Sequence, residues 1–408
     1  MPIRKPRAAV AAVAFALAIA MLGTTLPTPL YGLYRERFGF SELTITVIFA
    51  TYAAGVIASL LLFGRISDQI GRRRVLLPGL ALAALGAVSF LLAHGLGLLI
   101  VGRVLSGLSA GVFTGTATAT LIDLAAPERR ARATLQATMA NMAGLGCGPL
   151  LAGVLSQWAG SPLRLTFWVE LALLVPASIG IAVMPDGVAA RGRPRWRPQR
   201  LSVPVEMRTT FAEAALAGFA GYAVLGLFTA VAPDFLAQEL GVTSRAVIGV
   251  VVFAVFAASM VGQAMDGLVP EADALRAGCV ALVVGMGSLA LSLVLSSLAL
   301  LVLGGVIAGL GHGLAFRAGL AAVSGRAPAQ RRAEVASSFF VVMYVAISVP
   351  VIGVGILAQA TGLRSAGLTF AAIVAIVAIL VLVLLQRERP SPRAADRRAA
   401  AGVRAPGG

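Results

Sequence analysis

Twelve apolar stretches alternate with short polar ones along the chain: 8–30, 43–63, 75–94, 97–122, 134–157, 163–184, 210–233, 246–265, 275–295, 297–318, 334–358 and 366–386. Each reaches about 20 residues, enough to cross a hydrocarbon core of about 30 Å as a helix. Barrel strands would instead alternate apolar and polar residues over segments of about ten, and no such alternation occurs. The pattern predicts an all-α polytopic membrane protein with 12 transmembrane helices. The basic start MPIRKPR has the look of a secretory leader, but its apolar part is too long and further spans follow. It is expected to remain as the first helix.

One polar connection is longer than the rest. Residues 185–209 are rich in Arg and Pro and fall in the middle of the chain. They divide it into an N-terminal six-helix bundle (1–184) and a C-terminal one (210–386), with a polar tail at 387–408 expected to be disordered. The halves repeat in sequence. GLSAG at 107–111 faces GLGHG at 309–313, and LSQWAG at 155–160 faces LAQATG at 357–362, both at an offset of 202. APERRARA at 126–133 faces APAQRRAE at 327–334. Gly64 and Asp68 face Gly262 and Asp266. Repeated membrane halves place a cavity at their interface, as in many secondary transporters.

Composition agrees with lipid as the solvent. The chain is 59% hydrophobic and 12% charged, against about 25% charged in a soluble domain. The net charge of +16 changes the picture only through its placement. With the N-terminus inside, 26 Lys and Arg fall in the cytoplasmic segments and 5 on the other side. That bias predicts a multi-pass protein of the inner (plasma) membrane with both termini cytoplasmic, its loops facing anionic lipid. No basic folded domain is present that would meet nucleic acid. Cys147 and Cys279 lie inside apolar runs and read as packing residues. There is no metal-spaced cluster, phosphate loop or nucleotide-binding motif. No enzyme, metal or cofactor is expected, and an ion gradient is left as the energy source.

Charge gathers in GRISDQIGRRRV, residues 64–75. Gly64 and Gly71 permit a tight turn. Asp68 closes span 2, where a carboxylate can accept from the free N–H groups of a helix N-terminus. Arg72 to Arg74 open span 3. Arginines alone would make a plain cytoplasmic loop, but that does not call for Gly-x-x-x-Asp-x-x-Gly. The stretch resembles the signature between helices 2 and 3 of the major facilitator superfamily, with Ile66 where Leu is usual and Gln69 where Arg is usual. The resemblance implies two pseudo-symmetric six-helix bundles and a latch on the cytoplasmic side. There Asp68 would cap span 11 near Glu334, and Arg72 would pair with Asp123.

Further residues stand out inside the spans. Arg103 in span 4 is costly in lipid, about 2.5–3.5 kcal/mol on insertion scales, so it needs a partner, a wet cavity or a route to the headgroups. With Gly107 it resembles the family's helix-4 pattern, which implies a part in proton coupling. In GLGCGPLLAG, Gly144, Gly148 and Gly153 allow close helix approach and Pro149 bends the span. The pattern is similar to the helix-5 signature of drug:proton antiporters in the superfamily, with Ala152 replacing one glycine. Glu170 is the one carboxylate well inside a span of the first half and can carry a proton or neutralise Arg164 or Arg103. His312 can exchange protons near neutral pH or pack as a satisfied core residue. Arg317 lines the cavity or ends span 10. Glu213 and Asp234 mark the ends of span 7, and His94 is expected at the outer surface.

Together these features predict a monomeric secondary transporter working by alternating access, exporting small amphipathic compounds in exchange for protons. An importer or facilitator of a sugar or organic anion is the alternative in the same fold, with Arg103 and Arg317 meeting the anion. A non-transporting membrane sensor would need a soluble signalling domain.

Overall fold

The computed structural model describes residues 6–63, 67–184, 198–265, 268–328 and 331–387. Twelve long helices carry the spans: α1 (Pro6–Thr25), α2 (Glu42–Phe63), α3 (Arg73–Leu91), α4 (Leu96–Leu124), α5 (Arg130–Trp158), α6 (Pro162–Ala182), α7 (Arg208–Ala230), α8 (Arg245–Ala264), α9 (Glu271–Leu295), α10 (Leu298–Arg326), α11 (Arg332–Thr361) and α12 (Leu363–Arg387). All twelve are long and apolar enough to cross a membrane, and no strand occurs among the described residues.

Both halves use the same rods in the same order. α4 and α10 start and stop 202 residues apart, and α5 and α11 start 202 apart. Several helices outrun their apolar stretch. α10 was expected to end at 318 but continues to Arg326, and α5 begins at Arg130 rather than 134. The hydrophobic run marks the part in lipid. The helix itself continues beyond it, because nothing at those turns breaks its backbone hydrogen bonds.

The opposite correction applies to α1. Its apolar run reaches residue 30, yet the helix stops at Thr25 and passes through a 3-10 turn (Thr28–Leu30) into a short helix (Tyr31–Phe38). Pro27 and Pro29 carry no amide hydrogen, so the carbonyls four residues earlier, Gly23 and Thr25, lose their helical donors. Gly39, at φ 69°, ends the short helix in the left-handed region, which glycine enters at little cost.

Cross-half packing runs through α5 against α8 and α2 against α11. α7 is the most buried span and α12 the least. α6 and α12 turn residues such as Trp168, Ile179, Ile373 and Ile376 outward, as lipid-facing helices do. The linker up to residue 197, the tail from 388, Gly64 and Asp266 lie outside the described residues, and nothing is described of the Asp68 side chain.

Candidate functional site

A solvent-open cavity lies between the halves. α1, α2, α4, α5, α7, α8, α10 and α11 supply its described lining; α3, α6, α9 and α12 stay outside. Its deep wall is buried at Thr24, Thr25, Leu225, Thr229 and Phe256. Thr118, Thr134, Asn141, Leu320 and Phe340 are half-exposed and lie toward the end that carries both termini. The cavity therefore opens toward that end. Tyr52 and Tyr344 meet edge to face across it, 6.3 Å between centroids, and Thr114 and Tyr344 approach to 3.4 Å.

The break in α1 organises one side of the wall. Arg103 of α4 is 1% exposed. Its Nη1 donates to the Thr24 carbonyl at the end of α1, where a cation complements the helix dipole. Its guanidinium carbon stands 5.3 Å from the Phe49 ring centroid and 4.8 Å from that of Tyr52, so those two rings separate it from the cavity. On another face of the same turn, the Glu170 carboxylate of α6 occupies the place a Cβ on Gly23 would need. Glu170 is 3% exposed, and among the described residues no Lys or Arg pairs with it.

The small residues of α5 acquire separate tasks. Gly144 and Gly148 lie against α1, where a Cβ would strike the Ala18 and Leu22 carbonyls. Pro149 removes the donor for the Leu145 carbonyl, and the Thr25 hydroxyl replaces it at 2.7 Å. Gly153 faces the backbone of Arg245 across the half boundary, and Gly249 of α8 faces the Pro149 carbonyl.

In the second half His312 is fully buried. Its Nδ1 lies 2.7 Å from Ser259 Oγ, which accepts from Gln263 Nε2 at 3.2 Å. Its ring meets Tyr222 edge to face at 4.8 Å and stacks on Phe316 at 5.8 Å. Tyr222 and Phe316 line the cavity and His312 stands behind them. Arg317 is half-buried on α10, outside the lining. None of the four ionisable candidates (Arg103, Glu170, His312, Arg317) is among the described lining residues. For Arg103 and His312 their spacing on the helices could not show this, because Phe49, Tyr52 and Tyr222 in front of them come from other helices.

The two ends of the bundle differ. At the end away from the termini, the halves meet directly. Arg35 Nη1 lies 3.3 Å from Asp234 Oδ1 and 3.4 Å from Glu42 Oε1. Gln238 donates to Glu42 at 2.8 Å. Arg245 donates to the Ser156 carbonyl at 2.8 Å, and its backbone N–H to Gln157 at 2.9 Å. Burial raises the Asp234 carboxyl from 3.8 to about 6, against the attraction of Arg35 and with the help of Glu42. Sequence reasoning singled out Asp234 only as a helix end and missed Arg35, Glu42 and Gln238. The available signal was an arginine and two carboxylates flanking spans 1, 2 and 7 on one side.

At the termini end, Arg72 donates to Asp123 from Nε at 3.2 Å and Nη2 at 3.0 Å and to Ser67 at 2.7 Å. Gly71 bends the chain at φ 102°. All of these belong to the first half. The linker crosses to the second half: Gln199 N–H donates to the Leu61 carbonyl at 2.8 Å, and Ser202 N–H to Ser338 Oγ at 3.0 Å. His94 is exposed at the end away from the termini.

Known proteins resemble this one in both sequence and fold. A triacylglyceride transporter of Mycolicibacterium hassiacum is 31% identical over 187 residues, 46% of this chain and 32% of that protein. The multidrug resistance protein MdtL of Escherichia coli is 32% identical over 173 residues, 40% of this chain and 42% of that protein. These matches span less than half the length of either relative. Among solved structures, a bacterial homologue of the human lysosomal transporter Spinster superposes with TM-score 0.73 at 14% identity, covering 96% of this chain and all of the other. The human organic anion transporter MFSD10 superposes with TM-score 0.68 at 18% identity, covering 94% of this chain and all of the other. At those identities the likeness is one of fold. The family model described as Major Facilitator Superfamily matches residues 13–350 and, in a second match, 214–406; with twelve spans in two matching halves, the chain belongs to the Major Facilitator Superfamily.

Proposed function

We propose that the protein is a proton-coupled exporter of small amphipathic compounds. The observation that carries this is the cavity between the halves, open at one end and shut at the other by contacts that link one half to the other. Rocking the halves would break the Arg35–Asp234 pair and the Arg245 bonds, opening that end. The arginine bias of the loops supports termini in the cytoplasm, which makes the described state open to the cytoplasm. Relatives named for multidrug resistance and for triacylglyceride transport support apolar or amphipathic cargo. No described lining residue is charged, which disfavours the organic-anion alternative.

Glu170 is the proposed proton carrier. It is a buried carboxylate with no described cation partner, and it touches the α1 turn whose next residues, Thr24 and Thr25, line the cavity. Its protonation would change what α1 packs against and so bias the two states. The test is accumulation of a fluorescent dye panel in cells with and without the protein, repeated after a protonophore collapses the gradient. Expression should lower accumulation, and collapse should restore it. Glu170→Gln should abolish the response to the gradient while the protein remains in the membrane. Export that ignores the gradient in the unaltered protein would refute proton coupling.

A further inference from the structure

The cavity wall has a chemical bias of its own. Its described lining holds seven threonines, seven aromatic residues and one amide, with no Asp, Glu, Lys, Arg or His. Five of the threonine hydroxyls spend their proton on a backbone carbonyl: Thr24 on Met21 at 2.7 Å, Thr25 on Leu145 at 2.7 Å, Thr134 on Arg130 at 3.1 Å, Thr138 on Leu135 at 3.0 Å, and Thr229 on Leu225. A hydroxyl whose proton is committed presents only its lone pairs. The five committed threonines therefore add acceptors to the wall with ring faces around them, and its side-chain donors are left to the hydroxyls of Tyr52, Tyr222 and Tyr344, the other two threonines and the Asn141 amide.

Charge is kept behind this wall. Arg103 lies over Phe49 and Tyr52, so its cation already engages the faces that would otherwise attract a ligand cation. A cationic ligand would meet that buried positive charge with no lining carboxylate to offset it. An anion would meet lone pairs with no lining cation. Either ion would lose its hydration without a partner, which is costly.

Building on the exporter reading, we infer that the cavity selects uncharged aromatic molecules carrying hydrogen-bond donors, hydroxyl or N–H groups that the threonine oxygens accept. The proton and the cargo then occupy separate places. Glu170 takes the proton behind α1, and the cargo contacts the Thr24–Thr25 face of the same turn.

The experiment uses one ring system in four forms: 2-naphthalenemethanol, its methyl ether, 2-naphthylmethylamine (protonated at neutral pH) and 2-naphthoate. Binding to the full chain in detergent is measured by calorimetry. The alcohol should bind tightest, the ether several-fold weaker, and both ions at least about tenfold weaker. Asn141→Asp, which puts a carboxylate in the lining, should improve binding of the amine about tenfold. Equal or tighter binding of either ion by the unaltered protein overturns the inference, as does the absence of binding by all four. An amine that ignores Asn141→Asp also overturns it, since the ligand would then sit elsewhere. Gradient-driven export is read separately in cells. Export of the ions but not the alcohol sinks this inference and leaves the exporter reading intact. Binding of the alcohol without export does the reverse.

Discussion

The two halves fill one equivalent position in opposite ways. In the first half Arg103 reaches from α4 to the broken end of α1. At the same offset of 202 the second half has Gly305, whose missing side chain leaves room for Phe228 and Val255. The reason lies in the neighbouring helix. α1 stops at Thr25, before Pro27 and Pro29, whereas α7 continues to Ala230 with Phe228 packed into the gap. A broken helix exposes carbonyls that need donors; α7 is still helical at that level and breaks only after Ala230, where a short helical turn (Ala232–Asp234) follows. The reverse asymmetry holds at His312, which stands where the first half has Ala110, and Gly221 clears the space for it. The repeat thus specifies rods and close contacts, and each half adds its own buried polar group where its local backbone can accommodate it.

Close contacts between halves offer the largest expected effect. Gly153 and Gly249 press on backbone carbonyls across α5 and α8, while Gly355 presses on the side chain of Thr46 across α11 and α2. A side chain can turn away and a carbonyl cannot. Gly249→Leu should reduce export to background, and cysteine labelling should find the end away from the termini permanently accessible. Gly355→Leu should retain a measurable fraction of the rate. Equal losses in the two variants would show that the two contacts between the halves do not differ in this way.

Next in size is Arg103→Leu. It strands the Thr24 carbonyl in a buried place, a loss of about 1–3 kcal/mol, which should lower the thermal midpoint and impair export together. The comparison of halves sharpens this. If Arg103 serves the helix break, replacing Pro27 and Pro29 by alanine should make Arg103→Leu cost less than it does alone. Additive losses would detach the arginine from the break.

These differences also mark what the chain's pattern could reveal. Twelve apolar runs were legible because lipid demands a continuous run in each helix. The helix-5 glycines were legible as close contacts, but not which helix each one faces. Gly144 and Gly148 meet α1, and Gly153 meets α8, a division that depends on how α5 crosses two neighbours. Arg103 and His312 were legible as buried polar groups. That both stand behind an aromatic layer was not, since Phe49, Tyr52 and Tyr222 come from other helices. The Arg35–Glu42–Asp234–Gln238 cluster joins residues at the ends of spans about 200 positions apart and has no periodic signal.

A smaller effect is expected at His312. Ser259→Ala removes the partner of its Nδ1 and should cost about 1 kcal/mol, read as a modest fall in thermal midpoint. Ala110→Gly at the equivalent site of the first half should lower stability through helix propensity and the loss of one buried methyl group, and leave cargo affinity unchanged. A fall in cargo affinity for Ser259→Ala without loss of stability would mean that His312 acts on the cavity wall through Tyr222 and Phe316.

The smallest effect concerns the Arg35–Asp234 ion pair, which joins one half to the other. Asp234 lies past the end of α7, and burial lifts its carboxyl from 3.8 to about 6 even though Arg35 stands beside it. Once this end opens, Asp234 meets water and returns to an ordinary carboxylate value. The closed end therefore holds the proton more tightly than the open one. Its contribution to closure is fully present below the ordinary value and is lost as the pH climbs through about 6, where a charged carboxylate must stay buried. Acid on this side favours the closed end through Asp234, and alkali loosens it. A single cysteine at Val354, which lines the small pocket beside Asp234, reports the opening in a background with Cys147 and Cys279 replaced by alanine. From about pH 5 to about pH 7.5, its labelling should rise several-fold more than in the same protein carrying Asp234→Asn, whose neutral amide has no such dependence. Taking the ratio of the two removes the reagent's own response to pH. A ratio that stays flat across that range would mean that Arg35 holds Asp234 ionised in the closed state, leaving the pair a fixed bridge between the halves.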